Sequence, residues 1–187
     1  IPRITGRTDD FVGVPWIGDW VPTKFGMSHG WFLDERYTEG ALLHEKWLYL
    51  RLSQPELFSI YAGLIHEGMW GGNNPAETAP PISLENFGRV FLGIEGGKDT
   101  IESDQINTIG DAFGTVDVGF SIDFPALDLD VYPHHYFEDA GGLKRRQNMR
   151  DGLTGIAIEV DHALRPLPDT FVFERIRTDD QSGPYHN

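Results

Sequence analysis

The chain has 187 residues, 40% hydrophobic and 24% charged, with no cysteine and a formal net charge of −14. That charge argues against a nucleic-acid partner, which needs a basic surface. The lack of cysteine excludes a disulfide framework, a thiolate zinc site and a cysteine nucleophile, and no run reaches the roughly 18–20 apolar residues of a membrane-spanning helix.

In chain order, Ile1-Pro2-Arg3-Ile4 shows neither an initiator Met nor the regions of a signal peptide, and Pro184-Tyr185-His186-Asn187 ends in loop-like sequence. A single domain spanning 1–187, part of a longer chain, is therefore expected. The first 35 residues carry Pro2, Pro15 and Pro22 with Trp16, Trp20 and Trp31, and predict at most one irregular strand. A hairpin follows over 42–70. Its first arm sets Leu48, Leu50 and Leu52 on one face against Glu45, Trp47, Tyr49 and Arg51. Ser53-Gln54-Pro55-Glu56 turns the chain, and the second arm sets Phe58, Ile60, Ala62 and Leu64 against Ser59, Tyr61, Gly63 and Glu67.

The long polar segment 71–114 predicts a short helix over 84–92, capped by Ser83, with Leu84, Phe87 and Phe91 on one side. A second helix is expected within 101–113. The clearest alternation runs over 115–124, where Val116, Val118, Phe120, Ile122 and Phe124 oppose Thr115, Asp117, Gly119, Ser121 and Asp123. Pro125-Ala126 turns the chain into 127–137, where Leu127, Leu129, Val131 and Pro133 oppose Asp128, Asp130, Tyr132, His134 and Tyr136. A third hairpin joins 153–162 to 170–178. Its second arm is ambiguous, because Phe171, Val172 and Phe173 are consecutive.

Short turns near 53–56, 125–126 and 164–168 alternate with long segments at 71–114 and 138–152. Together with strands near ten residues, aromatic residues assigned to an interfacial girdle (Trp47, Tyr49, Trp70, Tyr132, Tyr136, Phe137) and acids lining one face, this predicts an all-β, antiparallel transmembrane β-barrel of outer-membrane type. Short helices would sit in its external loops, and the barrel would be incomplete as given. The same alternation fits a β-sandwich with its apolar face inward.

The acidic strand faces can supply carboxylate pairs for glycoside hydrolysis, but their even spacing reads better as a hydrated lining. His44-Glu45, His66-Glu67 and His134-His135 each offer one ligand per face, so ordinary hydrogen-bonded histidines are expected and no metal or cofactor is assigned. No G-x-S-x-G elbow is present, and Gly68-Met69-Trp70-Gly71-Gly72-Asn73-Asn74 reads as a strand exit, not a phosphate loop.

Several segments go beyond generic strand sequence: Gly40-Ala41-Leu42-Leu43-His44-Glu45-Lys46-Trp47-Leu48-Tyr49, His66-Glu67-Gly68-Met69-Trp70-Gly71-Gly72, Ser103-Asp104-Gln105-Ile106-Asn107, His135-Tyr136-Phe137-Glu138-Asp139 and Asp180-Gln181-Ser182-Gly183-Pro184. In this order they resemble the capsule assembly Wzi family, in its Bacteroidetes-type forms. The resemblance implies a non-catalytic barrel at the cell surface, in the bacterial outer membrane, that helps assemble or attach capsular polysaccharide. Its partners would be surface polysaccharide, outer-membrane lipid and an envelope complex. On physical grounds, Trp70, Asn73 and Asn74 are expected to hold sugar, and Lys144, Arg145 and Arg146 to meet its acidic groups. The rival expectations are a β-sandwich carbohydrate-active enzyme or lectin, and a diffusion porin.

Overall fold

The computed structural model describes residues 1–15, 18–55, 57–138, 151–160 and 169–179. Nine strands form one antiparallel sheet: β1 (Arg3–Arg7), β2 (Val12–Val14), β3 (Gly18–Trp31), β4 (Leu42–Gln54), β5 (Phe58–Trp70), β6 (Asp111–Phe124), β7 (Leu127–Glu138), β8 (Gly152–Val160) and β9 (Thr170–Arg177). From β3 onward each strand pairs with its neighbours in sequence, while β1 and β2 both pair with β3. The three hairpins stand as the alternation predicts, with Tyr49 opposite Gly63, Asp123 opposite Asp128 and Ile156 opposite Phe173. The first 35 residues hold more strand than expected. β3 runs for 14 residues with Pro22 inside it, at a register irregularity against β2, a place where a residue lacking an amide N–H is tolerated.

The predicted barrel is not observed. Among the described residues β1 pairs only with β3 and β9 only with β8, so the sheet is open, with two separate edges. Alternation fixes which side chains share a face; it does not make the first and last strands meet. Transmembrane strands and an outer-membrane location require a closed barrel, and both expectations are withdrawn with it. No helix among the described residues is long and apolar enough to cross a membrane. An open sheet agrees better with the rival β-sandwich-like architecture than with a transmembrane pore.

One sheet face carries Leu48, Leu50, Leu52, Ile60, Leu64, Val118, Phe120 and Ile156, as the alternation indicates. Near the 42/70 end of the sheet this face is covered by helix α1 (Leu84–Leu92). There Leu42, Trp70, Val90 and Ile109 form the buried cluster, with Trp31 and Phe87 against it. The Ser83 hydroxyl accepts from the Asn86 amide at 3.1 Å, which caps the first turn. Gly93 closes the helix at φ 64°, a left-handed conformation that suits glycine. A short helix, α2 (Glu102–Ile106), follows in the same connection.

Beneath α1 lie His29, His44 and His66 with Lys46. The His44 ring stands 5.4 Å from Phe87 and 5.3 Å from Phe91. Ordinary hydrogen-bonded histidines were expected here, yet His44 is 1% exposed and neither ring nitrogen has a hydrogen-bond partner. Burial, and then the Lys46 charge, lower the His44 pKa to about 4, and the same two causes lower His66 to about 4. Burial lowers the Lys46 ammonium to about 8.

Candidate functional site on the polar sheet face

The opposite face is polar and aromatic. Cross-strand register brings Trp47 opposite Gly26, Tyr49 opposite Gly63, Tyr61 opposite Gly119 and Tyr132 opposite Gly155. Each ring lies down on its glycine. A Cβ added at Gly26, Gly63, Gly119 or Gly155 would stand 2.1 to 2.3 Å from the facing ring. The absent side chain is what lets the ring lie flat, a cross-strand aromatic–glycine pairing that also shields the exposed backbone. The four rings step across the sheet from β3 to β8.

Three of these rings, Trp47, Tyr49 and Tyr132, belong to the girdle expected near strand ends. In the structure Trp47, Tyr49 and Tyr132 sit inside their strands on the polar face, so that assignment is corrected. A cavity of about 600 Å³ opens over the rings, walled by Arg7 and Phe11 on one side, Trp47, Tyr49 and Tyr61 on its floor, and Asp117 and His134 beyond. This volume lies in the usual range for small-ligand sites. The polar face curls, because residues from β1 and from β7 wall the same space. The Arg51 guanidinium stands 4.2 Å from the Phe11 ring centroid, which ties the β1–β2 connection to this face.

Asp117 is central. It is 6% exposed, and its Oδ2 accepts from the Tyr49 hydroxyl at 2.5 Å. Its Oδ1 has no hydrogen-bond partner, and the nearest basic group, His134 Nδ1, stands 4.0 Å away. Burial raises the Tyr49 phenol pKa, and the hydrogen bond to Asp117 adds to it. Burial also raises Tyr61, helped by the charges of Asp117 and Asp130. Glu67, opposite Glu45 in the register, is raised by burial and then by that carboxylate. Tyr132 donates to Glu174 at 2.9 Å, and Ser121 donates to Asp130. The phenols thus stay protonated donors and the carboxylates act as acceptors, an arrangement suited to a ligand rich in hydroxyls.

Three of the predicted sugar contacts, Trp70, Asn73 and Asn74, are not among the residues lining this cavity. Trp70 is 3% exposed and belongs to the core under α1. Asn73 exchanges two 2.8 Å backbone bonds with Glu39. The Asn74 amide oxygen accepts from the Thr78 amide at 3.1 Å, and its nitrogen donates to the Thr78 hydroxyl at 3.2 Å. Trp70 and Asn74 also wall a second cavity of about 420 Å³, with Tyr37, Thr78 and Asp104. Asn73 is exposed beside them. Lys144, Arg145 and Arg146 lie outside the described residues, as do the expected 164–168 turn and 180–184. Among the described residues no group of three or more His, Asp or Glu is arranged to hold a metal ion.

Alternation places Tyr49, Tyr61, Gly63, Asp117 and Gly119 on the polar face, with Tyr49 read as girdle and Asp117 as hydrated lining, and the ring–glycine contacts go unread. The signal was available: once the 53–56 turn fixes the hairpin register, Tyr49 must face Gly63.

Compared with protein-family models, with curated proteins and with solved structures, the chain matches none. The resemblance to the capsule assembly Wzi family therefore rests on short segments alone, and the open sheet lacks the barrel that the family implies. That assignment is withdrawn, and with it a barrel that attaches capsule in the outer membrane.

Proposed function

We propose that the chain is a non-catalytic carbohydrate-binding protein that holds a glycan against the curved polar face. The observation that carries this is the stepped row of Trp47, Tyr49, Tyr61 and Tyr132, each lying on a glycine. Rings held flat bury the apolar faces of sugars, while carboxylates and phenols at their edges take the hydroxyls. Because each ring is already fixed against the sheet, little side-chain freedom is lost when a sugar stacks. The binding surface is thus a strand face, with the 70–74 loop apart from it.

The test is binding to a panel of neutral, acidic and amine-bearing polysaccharides, by affinity electrophoresis and by Trp fluorescence. At least one should be retained, without new reducing ends appearing. Tyr61→Ala should weaken that binding about tenfold, equivalent to ~1.4 kcal/mol. A folded protein that retains none of the panel rules the reading out.

A further inference from the structure

The charges on this face are segregated. On β5 to β9 the register gives the polar face Glu67, Asp117, Asp123, Asp130, Glu159 and Glu174, with no Lys or Arg among its described residues. Arg175 and Arg177 pair with Thr154 and Gly152 and so belong to the other face. The Arg and Lys of the cavity, Arg7 and Lys24, come from β1 and β3 with Asp9 and Glu45 beside them, and the one basic side chain the acidic half adds to its lining is His134 of β7. Arg7 is within 3.6 Å of Asp9.

Within the acidic half, one shielded carboxylate oxygen beside the cavity lacks a donor. Asp117 is more than nine-tenths buried and lines the cavity, and its Oδ1 accepts no hydrogen bond although Oδ2 is occupied by Tyr49. His134 at 4.0 Å is beyond hydrogen-bonding distance. A buried carboxylate oxygen left without a donor is costly, and a cationic donor satisfies it better than a neutral one. The adjoining rings of Tyr49 and Tyr61 add aromatic faces that attract a cation.

We infer that the site selects glycans bearing free, protonated amines, with an ammonium group held at the Asp117 carboxylate between Tyr49 and Tyr61, where a small turn of the side chain brings Oδ1 to the cavity. This rests on the carbohydrate-binding reading and names its ligand class. Amino-sugar oligomers meet the acidic half favourably. Their N-acetylated counterparts lose the charge, and uronate oligomers are repelled.

The experiment titrates the protein, by calorimetry in slightly acidic low-salt buffer, with three tetramers: deacetylated chitosan, N-acetylated chitin and an oligouronate. Chitosan should bind at least tenfold more tightly than chitin, and uronate weakest. The preference should shrink as salt is raised, because it is electrostatic. Asp117→Asn, which keeps an acceptor for Tyr49, should bring chitosan to the level of chitin. The salt series on the unaltered protein decides the matter if that variant fails to fold. Equal binding of chitosan and chitin, or tighter binding of uronate, overturns the amine preference and leaves carbohydrate binding standing. Absence of binding to all three tetramers and to the whole polysaccharide panel overturns both.

Discussion

A glycine facing an aromatic ring is a residue-scale device with a measurable cost of disturbance. At Gly119 a Cβ would meet the Tyr61 ring at 2.1 Å, so Gly119→Ala must push the ring off the sheet. Urea denaturation should show a loss of about 1–3 kcal/mol, the usual penalty for overpacking a tight contact. Adding Tyr61→Ala to Gly119→Ala should return part of that loss, since the clash has gone. Losses that simply add would show that the two residues do not share one contact. Alternation predicted the face for both residues, because a strand has period two. The contact itself needed the register of β5 against β6, strands separated by the long 71–110 connection, and no local signal fixes that pairing.

Elements show the same division. The Ser83 cap and the apolar spacing of Phe87 and Phe91 were enough to predict α1. Nothing in the helix indicates that it seats on three histidines, because those come from β3, β4 and β5. The seat gives stability a pH dependence. His44 has a folded pKa of about 4, below the ordinary value of 6.5. Between those values the unfolded chain binds more protons than the folded one. Stability is therefore full above pH 6.5 and falls as pH drops toward 4, by about 3 kcal/mol for a shift of this size. His66 is depressed in the same direction and adds to the fall. Urea midpoints measured from pH 7 to pH 4 should descend through this window, and His44→Leu should flatten the descent. A midpoint that is level down to pH 4.5 would count against the buried, neutral histidines.

For the whole molecule, the sequence predicted an all-β chain of antiparallel hairpins with one apolar and one polar face, and the structure has them. Closure was not legible, since it depends on how the sheet curves and on what its end strands meet. The outer strand β9 shows why its pattern was ambiguous. Phe171, Val172 and Phe173 stay 49%, 59% and 69% exposed, because an edge strand beside an uncovered face need not hide either side. Away from α1 the apolar face leaves Phe25, Leu48, Leu52, Ile60 and Phe120 substantially exposed. A contiguous apolar surface of this kind captures amphiphilic dyes. The folded chain should enhance anilinonaphthalene sulfonate fluorescence several-fold while keeping its β-type circular dichroism, and a double Phe171→Ser, Phe173→Ser variant should enhance it less. A dye signal at the level of an ordinary globular protein would contradict an open apolar face.

The strand order also bears on how the molecule assembles. From β3 to β9 every strand lies beside the one that precedes it, with no crossover. Assembly can therefore proceed by zipping, each arrival docking on an edge already in place. The β4–β5 and β6–β7 closures span tight turns, and the largest entropic toll falls between β5 and β6. Any ring arriving one position out of step would land on a side chain instead of a glycine, so the aromatic row that would grip a sugar also rejects misaligned strands.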